Sequence, residues 1–230
     1  MSTKSKFVNG YQVYYDDYDF RWVRAIGPAP REWEMRYGSD FTTGCEYTNT
    51  VIGGADAITQ GITAGVRAAI ATAATENNGV NVQVVGTPFQ IASNKPLYFG
   101  AKIACDQATQ SDILLGLAST DTTLVAAHAV TVINGVYFYK DDGATAITAN
   151  ANIASVVSSA TVGTAMDTSA HIYEIYFDGT TLYFYFDAGL VTSMTSGWPT
   201  VVITPSIATM AGTTTAVNTL VHWMRAIQLP

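Results

Sequence analysis

The sequence predicts an all-β protein, an antiparallel two-sheet sandwich or jelly roll. Three observations carry this. About a dozen short apolar or aromatic segments follow one another, separated by Gly, Asp, Asn and Pro at strand spacing. No long amphipathic helical pattern interrupts them. The run HIYEIYFDGTTLYFYFDAG, residues 171–189, reads as a hairpin, because Asp178-Gly179 suits a tight turn with positive φ between two aromatic strands. A chain of 230 residues that is 48% hydrophobic is long enough to bury one sizeable core.

The elements follow in order. Residues 1–40 form an aromatic- and Arg-rich N-terminal arm, and residues 41–230 form the sandwich domain. Within the arm, Gly27-Pro28-Ala29-Pro30 marks a turn or hinge, since proline fixes its own backbone and biases the preceding residue away from helix. Gly65–Thr72 and the alternating Val80, Val82 and Val84 flank Glu76-Asn77-Asn78-Gly79, which predicts a hairpin. Residues 96–103 and 113–118 are two core strands, and 136–139 a third that runs into Asp141-Asp142-Gly143. The hairpin at 171–189 follows, and residues 201–210 and 217–227 are two longer closing strands. Because successive strand residues point to opposite faces, Tyr183 and Tyr185 are expected outward if Phe184 and Phe186 are inward.

Charge and composition exclude several classes. Only 13% of residues are charged and the net charge is −7, with no cluster of Lys and Arg to displace counterions from phosphate, so nucleic acid is not an expected partner. No apolar run approaches the roughly 20 residues of a membrane span, and MSTKSKFVNG has no apolar stretch behind its lysines, so neither a span nor a secretory signal is read. Cys45 and Cys105 have no metal-ligand or CxxC spacing and read as small buried side chains, with a single disulfide as the alternative. The arm is electrically neutral, with six basic and six acidic residues, and it holds nine of the 26 aromatics. Aromatic and Arg side chains together are the composition of interface hot spots, while the same residues also suit a first strand and loop packed on their own domain.

A resemblance rests on particular segments: PFQIASNKPLYFGAKIACDQATQSDILLGLASTDTTL at 88–124, GVYFYKDDGAT at 135–145, YEIYFDGTTLYFYFDAG at 173–189 and ITPSIATMAGTTTAVNTLVHWMRAIQ at 203–228. Together they resemble virion structural proteins of tailed bacteriophages with a concanavalin A-like jelly-roll core. The resemblance spans roughly residues 60–228 and contains no catalytic motif. It implies a non-enzymatic capsid decoration (cement) protein on the exterior of the capsid, bound to the major capsid protein and self-associating as a homotrimer. Under that reading the arm supplies the partner-binding residues: Tyr11, Tyr14, Tyr15, Tyr18, Phe20, Arg21, Trp22, Arg24 and Trp33. The alternative is a carbohydrate-binding, lectin-like module, or a tail or fibre component engaging host glycans.

The chemistry of catalysis is not legible. A concanavalin A-like fold also hosts glycosidases, which need two carboxylates on one face. Glu32 and Glu34 share a face if extended but lack a third acid and lie outside the resembling core. His128, His171 and His222 have no carboxylate or Cys at metal-ligand spacing, no Gly-x-Ser-x-Gly elbow is present, and Gly53-Gly54 is followed by no Gly-Lys-Ser/Thr. No catalytic, cofactor or metal residue is therefore assigned. Asp141-Asp142-Gly143 suits a solvated turn better than a calcium site. The aromatic row from Tyr173 to Phe186 has at least half its rings in the core, and an outward tyrosine pair fits either sugar stacking or subunit packing.

Overall fold

The computed structural model describes residues 4–8, 11–15, 31–34, 47–54, 56–60, 66, 68–86 and 88–228; for the first three strands and Gln60 it describes the backbone. Among the described residues there are twenty strands and no helix. In chain order they begin with β1 (Lys4–Val8), β2 (Tyr11–Tyr15), β3 (Arg31–Glu34), β4 (Tyr47–Ile52), β5 (Ala57–Gln60), β6 (Ala68–Ala71) and β7 (Gly79–Val84). There follow β8 (Phe89–Gln90), β9 (Leu97–Cys105), β10 (Ser111–Ala118), β11 (Val125–Ala126), β12 (Ala129–Val130), β13 (Gly135–Lys140) and β14 (Ile147–Ile153). The last six are β15 (Val156–Thr161), β16 (His171–Phe177), β17 (Leu182–Phe186), β18 (Gly189–Met194), β19 (Val202–Ala211) and β20 (Asn218–Gln228).

Two antiparallel sheets form the sandwich. The first runs β15-β14-β13-β10-β19-β7-β4, with β8 also on β19, and the second runs β18-β17-β16-β9-β20-β6-β5, with β3 also on β20. Among the described residues β1 and β2 pair with each other alone. β3 lies within the arm, so the second sheet draws one strand from it, with Trp33 opposite Ala226 and Glu34 opposite Arg225. The predicted sandwich is therefore the observed architecture, and the strands predicted at 96–103, 113–118, 136–139, 201–210 and 217–227 are β9, β10, β13, β19 and β20.

Alternation explains how the two sheets meet. In β17 the residues Leu182, Phe184 and Phe186 are buried while Tyr183 and Tyr185 between them are half-exposed, as their spacing predicts. The inward rings interlock across the interface: Phe138 of the first sheet stands edge-on to Tyr173 at 5.3 Å and to Phe184 at 5.4 Å, both from the second. Offsetting ring edges against ring faces is the favoured geometry for such pairs. Gly179, at φ +104°, makes the turn that sequence placed there, and a Cβ on it would also come within 3.0 Å of the Asn94 backbone.

One predicted pairing is corrected. The segments before and after Glu76-Asn77-Asn78-Gly79 are strands, but they do not pair with each other: β6 lies in the second sheet and β7 in the first. The connection crosses from one sheet to the other, about 10 Å apart. A parallel crossing between β19 and β20 satisfies its backbone: Thr72 N–H donates to the Val217 carbonyl, Asn77 N–H to that of Ala211, and Ala211 N–H to that of Asn78. These long-range bonds supply the partners that a hairpin ladder would otherwise provide. Sequence also left unassigned the hairpin β14–β15 and strand β18.

Phe184 is fully buried against Phe138. Phe184→Ala is expected to lower the unfolding free energy by about 3–5 kcal/mol. A urea midpoint equal to that of the parent would contradict the inward position of this ring.

Candidate functional site

A two-sheet sandwich has two outer faces, and here they differ. Across the outer face of the first sheet lies the chain from Ser119 to Asn134, including the small hairpin β11–β12. Leu124, Val125 and Val132 from this segment pack on Leu114, Tyr137, Ala208 and Met210 to form a second apolar core. Amide side chains of the sheet fasten the segment further. Gln83 Nε2 donates to the Ser119 carbonyl (3.2 Å) and accepts at Oε1 from Asp121 N–H, Asn81 Nδ2 donates to the Thr122 carbonyl, and Asn152 Nδ2 to that of Val132. This face is closed by the protein's own chain.

The end of that segment is tied down electrostatically. Ala127 and His128 both have positive φ, which costs energy for residues with a Cβ, and His128 Nδ1 lies 2.7 Å from Asp112 Oδ2. The buried Asp112 also accepts from Asp142 N–H (2.7 Å) and from the Tyr139 hydroxyl (3.1 Å). Burial pushes the Asp112 carboxyl up, opposed by these hydrogen bonds, and the bond to Asp112 raises His128 against a smaller loss from burial. Lys140, buried beside it, has its pKa lowered by burial and donates to the Ser111 carbonyl at 2.5 Å. A second histidine is held in the same way, with His171 Nδ1 at 2.6 Å from Asp187 and Nε2 at 3.0 Å from Asp167. Burial lowers His171, and the two carboxylates outweigh it and raise it overall. Asp141-Asp142-Gly143 forms a turn, with Gly143 at φ +71°. Cys105 is a free, buried thiol.

The outer face of the second sheet presents a row of tyrosines. Tyr176 of β16 and Tyr183 of β17 are register partners with rings 6.1 Å apart and 20° between planes, and Tyr183 and Tyr185 stack at 6.4 Å and 28°. All three are half-exposed, and exposed Leu190 continues the row as the partner of Tyr185. The row is anchored at the hairpin turn. Asp178 accepts from the N–H groups of Thr180 and Thr181, and the Tyr183 hydroxyl donates to its Oδ2 (3.2 Å). Burial, with help from Asp178, pushes the Tyr176 phenol up, so it is neutral near pH 7. Further along, Arg225 lies over the rings of Trp223 (5.0 Å) and Tyr98 (5.8 Å). The Tyr98 ring lies over Gly100, where a Cβ would meet its hydroxyl at 2.3 Å, and that hydroxyl donates to the buried Glu174. An irregularity in β20 between Val221 and Trp223 leaves His222 and Trp223 both half-exposed.

The sequence-predicted arm residues fall into two groups. Tyr11, Tyr14 and Tyr15 lie in β2, opposite Val8, Ser5 and Lys4, and Trp33 lies in β3. Tyr18, Phe20, Arg21, Trp22 and Arg24 lie outside the described residues. Sequence reasoning placed Tyr183 and Tyr185 outward and included Tyr176 in the aromatic row without assigning it a side, which its pairing with Tyr183 across the Asp178-Gly179 turn supplies. It missed the histidine–carboxylate contacts: His128–Asp112 and His171–Asp187 are each 16 residues apart and meet through turns, while Asp167 lies four residues before His171.

No protein-family model and no curated protein matches the chain. Among solved structures the chain is similar to the carbohydrate recognition domain of Emp46p in potassium-bound form, with 8% identity over 79% of this chain and 88% of that one and a TM-score of 0.54. It is also similar to the exoplasmic/lumenal domain of VIP36 in its Ca2+/Man-bound form, with 10% identity over 80% and 83% and a TM-score of 0.56. The alginate lyase AlyC3 follows, with 11% identity over 71% and 75% and a TM-score of 0.51. At such identities the likeness establishes the fold, the concanavalin A-like jelly roll that the resemblance implied. A carbohydrate recognition domain and an alginate lyase share it, so the fold alone assigns no activity.

The raised histidines have a consequence for stability. A histidine whose folded pKa lies above its unfolded value stabilises the fold fully below the unfolded pKa, about 6.5, and loses that contribution as pH rises through the folded value. Denaturant midpoints are therefore expected to fall as pH rises above about 6.5. The slope should flatten in His128→Gln and flatten further in the double variant with His171→Gln; an unchanged slope in both would exclude these two pairs as its source.

Proposed function

We propose that the protein is a non-catalytic carbohydrate-binding domain that takes a neutral glycan on the tyrosine face of its second sheet. The observation that carries this is the half-exposed row Tyr176–Tyr183–Tyr185 on the outer face of that sheet, while the Ser119–Asn134 segment covers the outer face of the other. Phenols combine apolar C–H surface with a hydroxyl that both donates and accepts, which matches the alternating apolar faces and hydroxyls of a sugar. With a net charge of −7 and Asp178 beside the row, the protein repels polyanions, so a neutral glycan suits it better than an acidic one. That two similar structures are a carbohydrate recognition domain and a Ca2+/Man-bound domain supports the same reading.

A second reading is favoured by the virion resemblance and by the aromatic, Arg-rich arm. In it the protein is a homotrimeric capsid decoration protein on the virion exterior, docked on the major capsid protein through residues of the arm. The two readings separate at the arm. A chain starting at Ala29, which keeps β3, retains glycan binding under the first and loses particle binding under the second.

The test is affinity electrophoresis of the full chain in gels containing neutral polysaccharides. The parent is expected to be retarded, and Tyr183→Ala and Tyr185→Ala each to weaken binding about 10-fold, the equivalent of the ~1.4 kcal/mol within reach of one aromatic contact. Co-sedimentation with particles lacking the protein, and no retardation on any polysaccharide, would instead establish the decoration reading.

A further inference from the structure

Among the described residues two ring contacts join tyrosine to tyrosine, and Tyr183 takes part in both. Its neighbours are Tyr176, directly opposite on β16, and Tyr185, two residues along its own strand. The other described phenols are placed differently. Tyr47, Tyr98, Tyr137 and Tyr173 are buried, and the Tyr139 hydroxyl sits among oxygens of Asp112, Asp141 and His128 on the first sheet. Aromatic faces in full contact lie about 3.5–4 Å apart. Tyr176 and Tyr183, at 6.1 Å and 20°, are therefore displaced along their planes. Their facing edges, which carry carbons ortho to the hydroxyls, are the parts that approach most closely.

Tyr183 also has a base at hand. Its hydroxyl donates to Asp178 Oδ2 at 3.2 Å, while Asp178 Oδ1 accepts from the N–H groups of Thr180 and Thr181 and from the Thr180 hydroxyl. Burial works to raise the Asp178 carboxyl, and the bonds from Thr181 and Thr180 outweigh it and lower it overall, so Asp178 is ionised near pH 7. A phenol that loses an electron becomes a strong acid and sheds its proton, and a carboxylate already hydrogen-bonded to it takes that proton without any movement of heavy atoms. The tether favours Tyr176 over Tyr185 as the partner. Opposed residues of a strand pair have Cβ atoms about 5 Å apart, whereas residues two apart along one strand are separated by about 6.7 Å.

We infer that Tyr176 and Tyr183 form a site of oxidative coupling, at which a one-electron oxidant of the peroxidase class joins the two rings through a carbon–carbon bond. Each phenol gives up one electron and its hydroxyl proton, Tyr183 to Asp178 and Tyr176 to water. The two phenoxyl radicals couple at carbons ortho to their oxygens. The ring hydrogens at the new bond leave as protons and each oxygen regains one, so the pair ends as a biphenol. Two hydrogen atoms in all leave the protein, and one hydrogen peroxide is reduced to two waters. The bond staples β16 to β17 and restricts the hairpin in the unfolded chain as well as the folded one. It needs only the ring pair and the carboxylate, so it does not depend on the glycan reading.

The test is exposure of the full chain, at low concentration, to a haem peroxidase and hydrogen peroxide, followed by cleavage on the amino side of aspartate. That cleavage separates residues 167–177, which carry Tyr176, from residues 178–186, which carry Tyr183. The two fragments are expected to stay joined, two hydrogen masses below their sum, with the blue fluorescence of a biphenol. Tyr176→Phe and Tyr183→Phe, which keep the half-exposed rings, should each abolish the joined product, and Tyr185→Phe should leave it. Asp178→Asn keeps an oxygen for the Thr180 and Thr181 N–H groups but can no longer take the phenol proton, and is expected to slow coupling at least about 10-fold. Coupling at the parent rate in that variant would overturn the part given to Asp178. Fragments that separate cleanly while tyrosines elsewhere are oxidised would overturn the site itself. So would a joined product found only in chains of doubled mass, or coupling confined to Tyr183 and Tyr185 within 178–186.

Discussion

The contact on which the rest of this molecule depends is the wedge of Phe138 between Tyr173 and Phe184, where one ring of the first sheet is held edge-on by two rings of the second. It sets the distance between the sheets and the phase of both. Once Phe184 points inward, Tyr183 and Tyr185 have no choice but to point outward, and the register of β16 on β17 then brings Tyr176 to Tyr183. A one-residue slip in β17 would turn the tyrosine row into the core and the core into the surface, so the packing that stabilises the sandwich also specifies its exterior.

The two outer faces show how a sandwich of few charges disposes of its polar groups. On the first sheet Asn81, Gln83 and Asn152 are buried, and each spends its amide nitrogen on a carbonyl of the Ser119–Asn134 segment. A buried amide left without such a partner would be costly, so the segment and the amides stabilise one another. On the second sheet the outer polar groups near solvent are the phenols of Tyr176, Tyr183 and Tyr185, while Tyr98 and Glu174 are buried and hydrogen-bonded to each other. Recognition by such a surface depends on shape and hydroxyl geometry, which suits a partner that is itself uncharged.

Much of this was legible in the sequence, and the failures have physical causes. The hairpin at 171–189 was legible because aromatic alternation and Asp178-Gly179 are both local signals. The strands β14 and β15 were not, because Ala, Asn, Ser and Thr alternate without the contrast of hydrophobicity that marks a face. The segment at 65–84 was read as two strands and a turn, which it is, yet a turn does not reveal whether it closes a hairpin or crosses a sandwich. That depends on Ala211 and Val217, well over a hundred residues away. The tyrosine row was half visible, since alternation gave Tyr183 and Tyr185 while Tyr176 required the register. The contacts of His128 and His171 were invisible because each carboxylate lies beyond an intervening turn.

The crossings between the sheets govern how the chain comes together. Neighbouring strands in sequence are repeatedly assigned to opposite layers, and β19 and β20, which follow all the others, occupy interior positions in each. β10 cannot reach β7, nor β9 reach β6, until those two arrive. During translation the ribosome therefore releases a set of strands with open edges and unmatched apolar faces, and the last segments insert between them like keystones. Most of the loop-closure entropy is paid before the contacts that repay it form, which makes acquisition of the native state slow and nearly all-or-none. While these partners are missing, the nascent chain is most exposed to aggregation and depends most on chaperones.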